Sequence, residues 1–422
     1  MKRVVLAIAV IGILAPSSAY PTNGMRMIGF GASQVAMGGA AVALPLDAAS
    51  VIVNPAGMSE LGHRIDFGGS WFKPTVKYEA SEIAQVPAPG FAVASNASLQ
   101  SQRGASPVPA LGMVLPVNDQ FVFGLGAYGV SGMGVDYAGN LYNGMSGPAV
   151  TFTSYSQMRF APGMSWKVSD QLSLGATLNV AWATMGFNVA SGVGQVPHET
   201  SSSFGVGGTL GARYAPLEWF TVAAAYESRT KFEDFSFNVP ARTALDLATG
   251  QQVSLPAGVD KLAFDQPQSV TVGFATNPWT PLMLAVDVQW INWSQTNGKN
   301  LPQYTTSVGA MPWNMNWSDQ VVLKVGAQYK VLPSLALRAG YNYGKSPLDA
   351  SRTFENIAFP AVAEHHITAG FGLNLSQKFS FNLAAMYVPE AKLSGSNPAQ
   401  MIASSTTTMS QVAFDGNVAY QF

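Results

Sequence analysis

Residues 171–182, QLSLGATLNVAW, alternate between two kinds of side chain. The even positions, from Leu172 to Trp182, are apolar, whereas the odd positions are polar or small. Successive side chains of a β-strand point to opposite faces, so this pattern predicts a strand with one apolar face. The run is about twice as long as an ordinary strand of 5–6 residues. It fits a strand tilted across a lipid bilayer, which needs about 9–11 residues.

The same alternation recurs in residues 282–290, 321–330 and 335–343. No charge falls on the apolar face of these segments. Lys or Arg on a lipid-facing surface would cost about 2–4 kcal/mol at the bilayer midplane, so the pattern favours lipid contact. Residues 411–422 also alternate and end on Phe422, which resembles the assembly signal of bacterial outer-membrane barrels.

Turn signals between these runs set the number of strands. Six short turns are rich in Asn, Asp, Pro and Ser: 118–119, 169–170, 216–219, 277–281, 332–334 and 376–378. Seven longer connections alternate with them: 81–106, 131–148, 186–202, 231–259, 294–316, 344–361 and 389–408. Thirteen connections join fourteen strands. Short turns on one side and long loops on the other predict an all-β, 14-stranded antiparallel transmembrane β-barrel.

Composition and the N-terminus agree with an envelope protein. Charged residues make up 11% of the 422 residues, against about 25% in soluble domains. A net charge of −1 gives no attraction to nucleic acid, and the lack of cysteine excludes a disulfide scaffold. Residues 1–19 combine Lys2 and Arg3, an apolar run and a small-residue cleavage site, which predicts a secretory signal peptide. Later segments are too short for membrane helices.

Residues 29–58 differ from everything that follows. They are rich in small residues, and Asp47 is their only ionisable side chain. Asn54, Pro55, Ala56 and Gly57 close the segment with a turn that Pro55 makes rigid. About 45 residues cannot bury much surface alone. We therefore predict three parts: signal peptide 1–19, a hatch 20–63 inside the lumen, and the barrel 64–422.

Several separated motifs resemble the FadL/TodX family of outer-membrane transporters for long-chain fatty acids and hydrocarbons. They include Gly38-Gly39 and the Asn54 turn in the hatch, FDQPQSVTVGF at 264–274, and LRAGYNY at 337–343. The resemblance spans nearly the whole mature chain. It implies passive transport of a hydrophobic compound from the cell surface into the outer membrane, through an opening beside a kinked third strand. It also implies a monomer that contacts outer-membrane lipid and the barrel assembly machinery.

The candidate site residues fall into three groups. The hatch group is Gly38, Gly39, Asp47, Asn54, Pro55, Ala56 and Gly57. The third strand is crowded with glycine, which marks bends in strands, and the candidates for the lateral opening are Gly124, Gly126, Gly129, Gly132 and Gly134. Basic side chains expected in the lumen are candidates for contacts with a substrate carboxylate: Arg229, Lys324 and Arg338. Internal ion pairing is the alternative role for each of them.

Other functions are less well supported by the sequence. His365 and His366 are adjacent, so a strand would point them to opposite faces, and we expect no metal site. We expect neither an enzyme nor a bound cofactor. Long-chain fatty acid is the first candidate substrate, and an aromatic or aliphatic hydrocarbon is the alternative. A general diffusion porin and a surface adhesin are the remaining alternatives, and a hatch argues against the porin.

Overall fold

The computed structural model describes residues 23–83, 96–137, 151–191, 194–245, 252–306, 309–397 and 402–422. The predicted signal peptide, 1–19, lies outside this part of the chain. Across the described ranges, no helix has both the length and the apolarity that crossing a membrane requires.

Fourteen antiparallel strands form a closed barrel. They are β1 (Arg64–Ile83), β2 (Ser106–Pro116), β3 (Phe121–Tyr137), β4 (Thr151–Lys167), β5 (Leu172–Ser191), β6 (Gly194–Leu217), β7 (Phe220–Glu227), β8 (Ser269–Trp279), β9 (Leu282–Ile291), β10 (Gln320–Leu332), β11 (Leu335–Gly344), β12 (His365–Asn374), β13 (Phe379–Asn397) and β14 (Ile402–Gln421). Strands adjacent in the sequence pair with each other, and β1 pairs with both β2 and β14. Arg64 lies opposite Val114 on one side and Gln421 on the other. The predicted fold class is confirmed.

The two faces of each strand meet different surroundings. In β10, Val321, Leu323 and Val325 are exposed on the outside of the barrel, whereas Val322 and Lys324 are buried inside. Residues 171–182 behave in the same way, with the apolar even positions outward. The outer apolar surface is what a lipid bilayer covers, because a closed barrel leaves no backbone group unpaired in lipid.

Two connections were predicted wrongly as loops. Residues 186–202 and 389–408 consist mostly of strand, because β5 with β6 and β13 with β14 continue as paired hairpins beyond the predicted ends. β6 is 24 residues long. The apolar alternation ends where the strands leave the lipid, but backbone pairing does not depend on a lipid face and continues through Ser- and Thr-rich sequence.

Shorter strands lie in the long connections. They are Asn96–Gln100, Lys231–Phe232, Phe235–Val239, Arg242–Leu245, Gln252–Leu255, Gly258–Ala263, Gln303–Thr306 and Gly309–Pro312. Four of them form a separate antiparallel sheet, which we call the lid: Phe235–Val239, Gly258–Ala263, Gln303–Thr306 and Gly309–Pro312, in that order. Short 3₁₀ helices occur at Trp293–Gln295 and Ala350–Arg352.

The hatch lies inside the lumen and is surrounded by the strands of the barrel wall. Its described part contains two single-turn helices, α1 (Ala32–Val35) and α2 (Ser50–Val53), and a 3₁₀ helix, Pro55–Glu60. Most of its residues are buried, although few are large. Among the described residues, three apolar clusters each join the hatch to the wall, and the largest also includes side chains of the long connections. The boundary at residue 63 between hatch and barrel stays a prediction.

Candidate functional site

The turn at Asn54 anchors the hatch to the wall. Its backbone is extended, with φ of −151°, and Pro55 opens the 3₁₀ helix. The Asn54 side-chain amide donates to the carbonyl of Val42 at 2.8 Å and to that of Ala212 in β6 at 3.2 Å. Its Oδ1 accepts from the amide of Ala56 at 3.1 Å. One buried side chain therefore ties together the turn, a distant part of the hatch and the wall.

A second anchor lies on β9 and β10. Asp287 and Lys324 are directly opposite each other in register. The carboxylate of Asp287 accepts the amides of Ala41 and Val42 at 2.8 and 3.0 Å. Lys324 Nζ donates to the carbonyl of Ile28 at 3.4 Å. The pair thus binds the hatch backbone in two ways: Asp287 accepts hydrogen bonds from hatch amides, and Lys324 donates one to a hatch carbonyl.

Gly38 lets the hatch approach the wall closely, and Gly39 lets the hatch pack against its own residue Ile28. Both have left-handed backbone, with φ of 65° and 80°. A side chain on Gly38 would place its Cβ 2.7 Å from the backbone nitrogen of Tyr341 in β11. The Gly38 amide donates to Thr368 Oγ1 at 3.0 Å. A residue with a Cβ would disturb both the turn and the contact with the wall.

Asp47 is buried in the hatch beside Asp66 and Arg64 of β1. Gln34 Nε2 donates to its Oδ1 at 2.9 Å. Burial, and after it the neighbouring Asp66 carboxylate, raise the pKa of Asp47 to about 7. Asp66 in turn accepts the amide of Ala48 at 2.6 Å. Asp47 therefore links a contact within the hatch, to Gln34, with the contact between the hatch and β1.

The wall is interrupted between β2 and β3. Their pairing runs only up to Ala110 opposite Tyr128. Immediately beyond, the register between β3 and β4 shifts between Gly129 and Ser131. A β-bulge of this kind bends a strand. From Tyr128 to Val135 every residue of β3 is buried, so the alternation of inner and outer faces is lost there. We call this interruption the seam.

Where β2 no longer pairs with β3, the backbone of the hatch bonds to the free edge of β3. The Met27 amide donates to the Val130 carbonyl at 3.1 Å, and the Gly132 amide donates to the Met25 carbonyl at 3.0 Å. Ser131 Oγ donates to the same Met25 carbonyl at 2.7 Å. The hatch thus replaces a missing strand at the seam.

The five candidate glycines of β3 have different surroundings. A Cβ on Gly124 or Gly126 would meet Val51 of the hatch, at 3.1 and 2.8 Å. Both pair regularly with β2, so they make room for the hatch. Gly129 lies at the register shift, and Gly132 bonds to the hatch. A Cβ on Gly134 would come 3.1 Å from Arg103. The lateral opening stays a prediction.

A cluster of charges lies behind the seam. Glu227 bonds to Arg26 through one carboxylate oxygen, and its other oxygen accepts from Arg159 Nη2 at 2.5 Å. Arg159 is only 2% exposed, and its Nε and Nη1 have no hydrogen-bond partner among the described residues. Arg26, Glu227, Asp287 and Lys324 also line one cavity between hatch and wall, with a volume of about 40 Å³. Three positive and two negative side chains leave this charge cluster one positive charge.

An aromatic column extends from this cluster toward the long connections. It consists of five rings, Tyr155, Phe264, Phe359, Trp313 and Phe187, and successive centroids are 5.1, 5.5, 5.5 and 5.2 Å apart. The Tyr155 hydroxyl accepts from Gln266 Nε2 at 3.0 Å, and Gln266 lies within 3.3 Å of Ser131 Oγ. The column therefore ends at the seam.

The three basic candidates lie in different places. Lys324 belongs to the charge cluster. Arg338 faces the lumen nearer the short turns and donates to Gln328 and Asn382 at 2.7 and 2.9 Å. Arg229 follows the end of β7, is exposed, and pairs with Asp265 at 2.5 Å. Arg229 thus has an ion pair, as in the alternative role, and Lys324 lies opposite Asp287 and contacts the hatch, whereas Arg338 bonds to neutral amides. None of the three is tested as a substrate contact.

Arg26, Arg159 and the aromatic column were missed by sequence reasoning. Arg159 sits in the middle of β4, where a charge interrupts an otherwise apolar and small-residue run. That position was a signal for an inward-facing functional residue. The other residues gave no local signal, because their proximity depends on contacts between distant strands and loops.

A closed barrel with an apolar outer surface, filled by a hatch and interrupted at one seam, is a transport protein of the bacterial outer membrane. The chain belongs to the outer membrane protein transport protein family (OMPP1/FadL/TodX), whose model matches residues 8–422. The resemblance seen in the sequence is thereby confirmed. No curated protein matches the chain significantly.

Solved structures of other proteins share the fold. The Pseudomonas putida toluene transporter TodX has 20% identity and a TM-score of 0.76, over 93% of this chain and 99% of that one. The Ralstonia pickettii toluene transporter TbuX has 18% identity and a TM-score of 0.71, over 93% and 98%. A Pseudomonas aeruginosa FadL homologue has 16% identity and a TM-score of 0.74, over 94% and 100%.

Proposed function

We propose that the protein carries long-chain fatty acids passively from the cell surface into the outer membrane. The apolar tail enters the aromatic column, and the carboxylate meets the charge cluster. The acid then leaves sideways through the seam between β2 and β3 once the hatch releases the β3 edge. The observation that carries this proposal is Arg159, a buried guanidinium beside the apolar column, with two donors that are unpaired among the described residues.

Charge arithmetic favours an anionic head group over a neutral one. The charge cluster has one positive charge in excess, and burying an uncompensated charge is costly. A carboxylate would neutralise it, and Arg can bind a carboxylate through two parallel hydrogen bonds. A neutral hydrocarbon would gain from the aromatic rings alone.

An aromatic hydrocarbon is the second candidate. It is supported by the aromatic composition of the column and by the printed names of TodX and TbuX, which are toluene transporters. A water-filled porin is less well supported, because the hatch fills the lumen. A surface adhesin would bind its partner through the long connections alone, so this function does not explain the aromatic column.

Uptake of labelled oleate and toluene by a deletion strain separates the candidates. We expect Arg159→Gln to lower oleate uptake by about tenfold or more, the value of one charge-assisted hydrogen bond, and to leave toluene uptake within about twofold. Arg338→Gln is the matched control, since it removes a lumen-facing guanidinium away from the column. Equal loss of both substrates would show a structural defect. If wild-type protein restored uptake of neither, the transport proposal itself would fail.

The lateral exit has its own test. Deleting Val130, the residue inside the register shift, should restore regular pairing of β3 with β4 and remove the bend of β3 beside the seam. We expect substrate uptake to fall while the barrel still folds, as judged by its heat-modifiable migration on gels. Undiminished uptake by a folded variant would argue for an exit through the hatch instead.

A further inference from the structure

Three polar side chains from separate extracellular segments meet at the inner face of the lid. They are His198 of β6, Asp260 of the lid strand Gly258–Ala263, and Tyr304 of the lid strand Gln303–Thr306. The Tyr304 hydroxyl donates to Asp260 Oδ2 at 2.5 Å and lies 2.6 Å from His198 Nε2. His198 Nε2 is 3.1 Å from the same carboxylate oxygen. Each of the three therefore contacts both others.

The lid has one polar and one apolar face. Ser236, Asn238 and Lys261 are exposed on its outer face. Phe237 and Leu262 are buried on its inner face, as are Phe235 and Val239. A sheet with this alternation covers something apolar.

The lid covers the outer end of the aromatic column. Phe187, the last ring of the column, stacks on the imidazole of His198 with centroids 4.1 Å apart. Phe237 of the lid meets Phe187 edge-on at 5.0 Å, and Tyr304 meets it at 6.0 Å. Any ligand that reaches the column from the cell surface must therefore separate His198 and Phe187 from the lid or pass around its edge.

The polar contact is unusual in this position. Asp260 is fully buried, and its Oδ1 has no hydrogen-bond partner among the described residues. Apolar side chains would fill such a site at least as stably, because burying charged groups costs desolvation energy. A directional polar contact fixes the position of the lid over the column, and it can break and re-form when the lid opens.

We propose that His198, Asp260 and Tyr304 form a latch that keeps the lid closed over the aromatic column and limits the rate at which apolar ligands enter. This inference rests on the proposed function for the identity of the ligand, but the closure itself is measurable without any ligand. The three residues are positioning residues, since they act through the lid.

Absence of native cysteine makes opening measurable by thiol labelling. Ala183 is an inward-facing residue of β5 that is fully buried in the apolar cluster shared with the column, and Ala183→Cys changes little volume. In the purified full-length protein, reaction of this introduced thiol with a water-soluble maleimide reports how often the lumen opens. Lys261→Cys, on the exposed face of the lid, gives the unrestricted labelling rate.

Latch variants are made in the Ala183→Cys background. We expect Tyr304→Phe, which removes only the shared hydroxyl, to raise the labelling rate of the buried thiol by about tenfold, as the loss of a buried hydrogen bond to a charged group does. Asp260→Asn should act in the same direction. Tyr343→Phe, an equivalent change on the outside of β11, should leave the rate unchanged, and the Lys261→Cys rate should not respond to any of these changes.

Unchanged labelling of the buried thiol in both latch variants would overturn the latch. Faster labelling that is accompanied by loss of heat-modifiable migration would also overturn it, because the residues would then serve the folding of the barrel. Transport is measured separately: the latch predicts a faster initial uptake rate in Tyr304→Phe. If wild-type protein transports neither oleate nor toluene, the proposed function fails while the labelling result still decides the latch.

Discussion

Replacement of Asn54 by alanine should detach the hatch locally while the barrel stays folded. The change removes two donated hydrogen bonds, to Val42 and Ala212, and one accepted from Ala56. Each buried hydrogen bond contributes about 0.5–1.5 kcal/mol, and loss of the helix cap, whose effect overlaps the third bond, typically costs about 1 kcal/mol. We therefore expect the hatch to be destabilised by about 3 kcal/mol. That is roughly a 150-fold rise in the population of its open state.

Hydrogen exchange followed by mass spectrometry measures this population directly. Amides in the peptide that covers residues 44–58 should lose protection by about two orders of magnitude, because they exchange through local opening of the hatch. Amides of the barrel strands should keep theirs. Asn118→Ala is the matched control, since its side chain also bonds to the backbone, by accepting the amides of Gln120 and Phe121, but in an exposed short turn.

Two results would refute this reasoning. Unchanged protection of the hatch would mean that its packing in the lumen holds it without Asn54. An equal loss of protection in hatch and barrel strands would mean that the hatch does not open as a separate unit, and the division of the chain near residue 63 would lose its physical basis.

Three further predictions concern the contacts that hold the hatch in place inside the barrel. Gly38→Ala forces a Cβ against the backbone of Tyr341 and a residue into left-handed backbone, so it should cost about 1–2 kcal/mol of hatch stability, measured by the same exchange experiment. Asp287→Ala removes the acceptor of two hatch amides and leaves Lys324 without its opposite charge. It should lower the stability of the seated hatch by about 3 kcal/mol and increase the swelling of liposomes by small sugars. Unchanged swelling would contradict this prediction. The pKa of Asp47 is about 7 when the hatch is seated and near 4 when it is released, so the seated state binds the proton more tightly. Seating should therefore be strongest below about pH 4, weaken as pH rises to about 7 and then level off, and Asp47→Asn should reduce this dependence in hydrogen exchange.

The strands that cross the membrane could be predicted from sequence because the lipid imposes a rule on every second residue. Val321, Leu323 and Val325 follow this alternation, which predicts that they face outward, as they do in the structure. Once β5 and β6 rise beyond the lipid, the rule no longer applies, and residues 186–202 gave no sign of their pairing. Local chemistry also identified the Asn54 turn, because a rigid Asn-Pro pair in a soft segment needs partners for its amide.

The remaining parts of the site depend on contacts between distant segments. The Arg159–Glu227–Arg26 cluster joins β4, β7 and the hatch, and the latch joins β6 to two separate connections. Nothing in the spacing of these residues along the chain announces such contacts. The glycines of β3 are a middle case: their number predicted a bend, but only the pairing register shows that the bend lies at Gly129.

Under the proposed function, polar groups at the two ends of the aromatic column act as two gates on a passive path, and the substrate gradient sets the net direction of transport. At the outer end, separation of His198 and Phe187 from the lid breaks the hydrogen bonds of the latch and exposes the apolar inner face of the lid. At the inner end, the Met25 and Met27 backbone must leave the β3 edge, and Arg26 lies between them in the sequence. A carboxylate that binds Arg159 competes with Glu227, whose other partner is Arg26 of the hatch. Under the proposed function, substrate binding would thereby weaken the contact that holds the hatch at the seam and favour opening of the exit.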